Sequence, residues 1–139
     1  MTRLVVAVCL AVASAACSVA HEAPAEISLC RVLAEPSLYD GKLVTLRASV
    51  ESDGRHLTLL TDATCSGSGV GLVVNDEIAN GEAAVAITKA IAEQRFGTPS
   101  KQITGTFTGI FRLHAGEVPS RVLLTRAITD VQIVERGSP

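Results

Sequence analysis

Residues 39–62, YDGKLVTLRASVESDGRHLTLLTD, constrain the fold more than any other stretch of this chain. Val44, Leu46, Ala48 and Val50 fall on one face of an extended chain, and Leu43, Thr45, Arg47 and Ser49 on the other. That period of two marks a half-buried strand, because successive side chains point to opposite faces. Asp53-Gly54 supplies a tight turn, since a primed hairpin turn needs positive φ and glycine accepts it without a Cβ clash. Leu57 and Leu59 resume the apolar face on the return strand. The stretch predicts a β-hairpin with one face in the core.

Downstream, residues 70–75 (VGLVVN) predict a short third strand, apolar enough to be covered on both sides. Residues 78–96 carry the one long helical pattern. Asn80, Ala84, Ile87 and Ile91 recur on one stripe, leaving Glu82, Lys89, Glu93 and Gln94 to face water, and Gly97 with Pro99 ends the run. Residues 101–114 (KQITGTFTGIFRLH) form the longest strand. Ile103, Gly105, Phe107, Gly109, Phe111 and Leu113 share one face; Thr104, Thr106, Thr108, Ile110 and Arg112 share the other. Two glycines on the inward face predict a bend or the close approach of another backbone. Residues 121–134 alternate in two pieces whose phase slips near residues 128–130, as a bulge would produce. Upstream, Ile27, Cys30, Val32 and Leu33 at helical spacing predict an N-terminal helix that stops at Glu35-Pro36.

The N-terminus reads as an export signal. Arg3 gives a positive start, and residues 4–13 (LVVAVCLAVA) form an apolar run of signal-peptide length, too short to span a bilayer as a helix. Ser18-Val19-Ala20 fits the small-x-small rule and predicts cleavage before His21. The alternative is a lipoprotein, with Ser14-Ala15-Ala16-Cys17 as a degenerate lipobox and Cys17 acylated. Either route places the domain in the periplasm or outside the cell, or anchors it to the membrane. Either route also leaves Cys30 and Cys65 as the two free thiols of the mature domain, and an oxidising compartment predicts a disulfide between them.

The order is helix, three strands, helix, two longer strands. It predicts a mainly β domain with one or two helices: a five-stranded OB-fold-like Greek-key barrel, with a helix between strands 3 and 4 and a further helix before the first strand. The expected layout is a signal peptide over residues 1–20, a linker over 21–26, the OB-fold-like domain over 27–134 and a tail over 135–139. The segments ISLCRVLAEPSLYDGKLVTLRASV and ITGTFTGIF, with His56 in a short hairpin and Cys65 downstream, resemble small exported bacterial OB-fold-like proteins, most without an assigned function. The resemblance spans residues 27–134 and implies fold and compartment. It carries no catalytic motif and implies no activity.

OB-folds bind on the face of strands two and three and on flanking loops. That places Tyr39, Arg47, His56, Thr58 and Arg112 near a groove; the competing account makes them solvated outward positions of half-buried strands. Phe107 and Phe111 share a face with Ile103 and Leu113, so they read as core, not as a stacking platform. With 3% aromatic residues and a net charge of −2, the chain lacks both the stacking surface and the positive footprint of a general nucleic-acid binder. Residues 67–71 (GSGVG) superficially resemble a phosphate loop, but they precede a strand and lack the lysine. Cleavage before His21 would create an amino-terminal histidine able to chelate copper, with His56 or His114 completing the site. No catalytic motif is present, and no cofactor is implied. The expected function is a non-enzymatic binding or interaction module of the bacterial envelope, its partner an envelope protein or a small ligand. The alternatives are oligonucleotide or oligosaccharide binding on the barrel face, and metal handling at His21.

Overall fold

The structure is a computed structural model and describes residues 24–65, 67, 69–94 and 100–136. Six strands and three helices follow one another within that range: β1 (Glu26–Ser28), α1 (Leu29–Ala34), β2 (Leu43–Ser52), β3 (Thr58–Thr61), β4 (Val70–Val74), α2 (Asp76–Ala79), α3 (Glu82–Gln94), β5 (Lys101–Leu113) and β6 (Arg121–Glu135). None of the described helices is long and apolar enough to cross a membrane. The chain is mainly β, as its alternation predicts, and the strands make one mixed sheet.

β2 organises that sheet because it is paired along both edges. One edge takes β1 in parallel opposite Thr45, Leu46 and Arg47, then β3 in antiparallel opposite Ser49 to Ser52. The other edge takes β5, from Leu43↔Ile110 to Val50↔Ile103. β3 pairs with β4, β4 with β6 in parallel, and β6 with β5. The pairings thus return to the strand from which they start.

Alternation decides what lies inside. Val44, Leu46, Ala48 and Val50 of β2 are buried, as are Ile103, Gly105, Phe107, Gly109 and Phe111 of β5. Phe107, Phe111, Leu46, Leu60, Ile103 and Leu123 are among the fully buried side chains of the core. Leu29 and Val32 of α1 and Ala84, Ile87 and Ala90 of α3 join this core. Burying a large apolar side chain contributes about 1.5–3 kcal/mol, so these residues supply the main driving force. Gly109 has no room for a side chain: a Cβ there would lie 2.4 Å from the carbonyl oxygen of Leu124. This is the close backbone approach that the inward glycines predict.

The bulge expected in the last strand is present. Thr104 and Thr106 face Gln132 and Thr129, so β6 carries one extra residue there, and Asp130 adopts φ +51°. A second irregularity separates Ala127 from Thr125 opposite Thr108 and Gly109. The predicted disulfide joins Cys30 of α1 to Cys65 in the β3–β4 connection, with a Cα separation of 5.5 Å, inside the usual range.

Several expectations are corrected. Among the described residues the strands number six, not five, and the helices three. Ile27 lies on β1, not on the first helix, because parallel pairing with β2 claims residues 26–28. Residues 53–57 form a wider loop than a two-residue turn. Asp53 accepts at Oδ1 from the backbone N–H groups of Arg55, His56 and Leu57, at 2.8, 2.9 and 3.0 Å, and Gly54 takes φ +69°. A two-residue turn would set Leu57 opposite Val50; the loop sets Leu60 there instead. An odd shift exchanges faces, so Leu60 enters the core and Leu59 does not. β4 is covered on one side only, since Val73 stays 43% exposed. The long helix is two helices. Asn75 caps α2 by accepting from the Ile78 N–H at 3.2 Å, Gly81 interrupts it, and Asn80 is exposed instead of lying on the buried stripe. At the far end of α3, Glu93 pairs with Lys101, and Gln94 donates to the Lys101 carbonyl at 2.9 Å. The Lys101 ammonium holds the Glu93 carboxyl below its usual range by hydrogen bonding. Gly97 and Pro99 lie outside the described residues.

Candidate functional site

Side chains fill the inner face of β2 and β5, so the surface these strands offer to solvent is their outer face. Strand register composes that outer face. Direct cross-strand neighbours share a side of the sheet and stand about 5 Å apart. Thr61 of β3, Ser49 of β2, Thr104 of β5 and Gln132 of β6 are successive partners, so they form one polar row across four strands. The next row holds Arg47, Thr106 and Thr129, and the one after it Thr45 and Thr108.

A depression of about 430 Å³ opens over the first of these rows and beside Arg47, lined by Arg47, Ser49, Thr61, Asp62, Thr104 and Gln132 among others. Arg47 is exposed and forms no ion pair among the described residues. Asp62 borders the same space. The Thr64 backbone N–H donates to its Oδ1 at 2.8 Å and the Thr64 hydroxyl at 2.7 Å, and these bonds hold its carboxyl below the usual range. Asp62 is therefore ionised at neutral pH. The connection that bears it is fixed in turn, since Cys65 donates its backbone N–H to the Asp62 carbonyl and is tied to Cys30. A second depression of about 520 Å³ shares Ser49, Thr61 and Asp62 and extends toward Gln94 and Lys101. The arrangement offers one guanidinium, one carboxylate and a run of hydroxyl and amide groups. It carries no aromatic ring among the lining residues.

Of the residues singled out from the sequence, Arg47 alone lies in this depression. His56 and Thr58 share a different hollow with Thr88 and Ile91 of α3, and Thr58 donates its hydroxyl to Ser52 at 3.1 Å. Tyr39 and Arg112 stand near Gly41 at the opposite end of β2: Lys42 donates its N–H to the Tyr39 carbonyl, and an Arg112 nitrogen lies 3.4 Å from where a Gly41 Cβ would be. β2 has ten residues at about 3.3 Å each, so roughly 30 Å separates these two groups. His114 follows β5 at the Gly41 end and contacts Glu117 at 3.1 Å, so His56 and His114 cannot serve one metal site together. No group of three or more His, Cys, Asp or Glu suited to a metal occurs among the described residues. Cys17 and His21 lie outside them. Asp62, Thr61, Ser49, Thr104 and Gln132 are not apparent as a site from the sequence, because register alone assembles them. The one local signal is Asp62-Ala63-Thr64, an Asx-turn pattern just before Cys65.

Comparison with protein-family models, with curated proteins and with solved structures returns no match for this chain.

Proposed function

We propose that this chain is an exported, non-enzymatic binding module of the bacterial envelope, built as an OB-fold-like Greek-key barrel of which β1 is an added parallel strand. The cycle of pairings through β2, β3, β4, β6 and β5, with α2 and α3 between β4 and β5, supports the barrel reading. The apolar run over residues 4–13 and the Cys30–Cys65 tie support export, to the periplasm, the exterior or a lipid anchor at Cys17.

The observation that carries the binding reading is the polar row Thr61–Ser49–Thr104–Gln132 flanked by Arg47 and Asp62. Paired charges of opposite sign suit a neutral or zwitterionic ligand better than a polyanion. The hydroxyl and amide groups suit a hydroxyl-rich one, so we favour an oligosaccharide over an oligonucleotide. Amide-resolved titration of the oxidised domain with envelope oligosaccharides and with single-stranded DNA tests this. Saccharide-induced shifts clustered at residues 47–49, 61–62, 104 and 132, abolished by Arg47→Ala, are expected. Binding of DNA alone, weakened by salt, would replace the saccharide reading with the oligonucleotide one.

A further inference from the structure

β6 is longer than the strand that covers its outer edge. β4 pairs with it only from Val122 to Thr125, and no described strand pairs with that edge beyond. Which main-chain groups are left over follows from the ladder with β5. Arg136 donates its N–H to the Ser100 carbonyl at 2.8 Å, which makes Lys101↔Glu135 a pair that exchanges no hydrogen bonds of its own. Alternation then makes Gln102↔Val134 and Thr104↔Gln132 the bonded pairs. The N–H and C=O groups of Ile133 and Glu135 therefore point away from β5, toward the open edge. Unpaired edges of this kind template the addition of another strand, and native chains either blunt them or use them. The bulge at Asp130 limits the regular part to the last residues of β6.

Beside this edge lies a groove of about 840 Å³ between β6 and the helices. Ile128, Val131 and Ile133 line it from the strand, Ile78, Ala83 and Ala86 from α2 and α3. Its apolar floor reaches solvent at Ile133, which is 38% exposed. The helical rim carries Glu77 and Glu82, both exposed, against Arg126 on the strand.

We propose that the open edge of β6 at Ile133 and Glu135 accepts an extended segment of a partner protein as an added strand, whose groove-facing positions carry both apolar residues and lysine or arginine. Main-chain pairing to Ile133 and Glu135 supplies the bonds that the edge lacks. Every second side chain of the added strand faces the groove; the apolar ones among these cover Val131 and Ile133, and the basic ones reach Glu77 and Glu82 on its helical rim. This surface is separate from the depression at Arg47, and the two stand or fall independently.

The probe is a short capped peptide with valine and lysine at its groove-facing positions and threonine between them, followed by fluorescence anisotropy and by amide exchange of the oxidised domain. Saturable binding with slowed exchange at Ile133 and Glu135 is expected. Ile133→Pro removes an outward N–H at an edge position that tolerates proline, so it is expected to weaken binding roughly tenfold or more with little change in melting temperature. Glu77→Lys with Glu82→Lys is expected to weaken it similarly. A peptide N-methylated on its pairing edge, which needs no protein variant, is expected not to bind. Equal binding by the methylated peptide or by a valine–glutamate counterpart overturns the proposal, as does no saturable binding to the wild-type domain. Self-association that disappears in Ile133→Pro assigns the edge to a second copy and overturns it equally.

Discussion

The hydroxyl oxygens of Thr45 and Thr108 stand 2.9 Å apart across the β2–β5 seam, where Thr45 is only 7% exposed. This is where the cycle of strand pairings returns to β2, so the side-chain bond ties the seam that main-chain bonds make. A buried hydroxyl that loses its partner keeps its desolvation cost. Thr45→Val is expected to cost about 1–2 kcal/mol in denaturant unfolding. The double replacement with Thr108→Val should cost less than the sum of the two single changes, because it leaves no orphan; strict additivity would show the contact to be energetically idle.

Removing the Cys30–Cys65 tie releases α1 from the β3–β4 connection. The 35-residue separation corresponds to about 3–4 kcal/mol in the chain-entropy account. Cys30→Ala with Cys65→Ala should lower the melting temperature accordingly, and the same loss should follow reduction of the wild-type domain. Affinity for the ligand proposed at Arg47 should fall as well, since Asp62 and Ala63 of that connection line the depression. An unchanged melting curve under reductant would contradict the structural role.

Gly109→Ala is expected to destabilise by about 3 kcal/mol, at the top of the overpacking range, because Leu124 presents backbone and cannot move aside. Gly105→Ala should cost less: its Cβ would meet the tip of the Phe107 ring at 3.3 Å, and a side chain can give where a carbonyl cannot. Urea denaturation of both variants ranks them. The reverse order would show that the β5–β6 bulge can relax.

Three backbone N–H groups, those of Leu57, Arg55 and His56, hold the Asp53 carboxyl down at about 2, against an ordinary value of 3.8. A folded-state value below the unfolded one means that this carboxylate favours folding at neutral pH. The contribution is complete above about 4 and drains away as the pH falls toward 2. Carbon-detected titration should find the Asp53 midpoint near 2. Asp53→Ala should flatten acid unfolding across that window. A midpoint near the ordinary value would mean that the 53–57 loop is not held this way in solution.

Strand alternation is legible in this sequence wherever the run is long: residues 44–50 and 103–111 enter the core as their period demands. The phase slip near Asp130 and the pairing of Cys30 with Cys65 are legible too, the first from a broken period and the second from compartment chemistry. β1 is not, because three residues carry no period and its pairing is set by the open half of a β2 edge that β3 is too short to cover. The face of β3 is misread for a related reason: Asp53 organises a loop through three N–H groups, and loop length sets register. At the candidate site Arg47 is visible as an outward charge in an alternating strand. Its neighbours Thr61, Ser49, Thr104 and Gln132 come from four strands and meet only through register, which no local pattern contains.

Pairing of β2 along both edges also determines how the domain can open. A strand with a free edge frays from it, one bond at a time. Over Leu43 to Val50 the far edge of β2 is held by β5, while β1 at residues 45–47 and β3 at residues 49–52 share the near one, so freeing the strand means parting ladders on both sides. Solvent exchange there proceeds through cooperative opening of the whole domain, and the slowest amides of β2 serve as a direct gauge of its global stability.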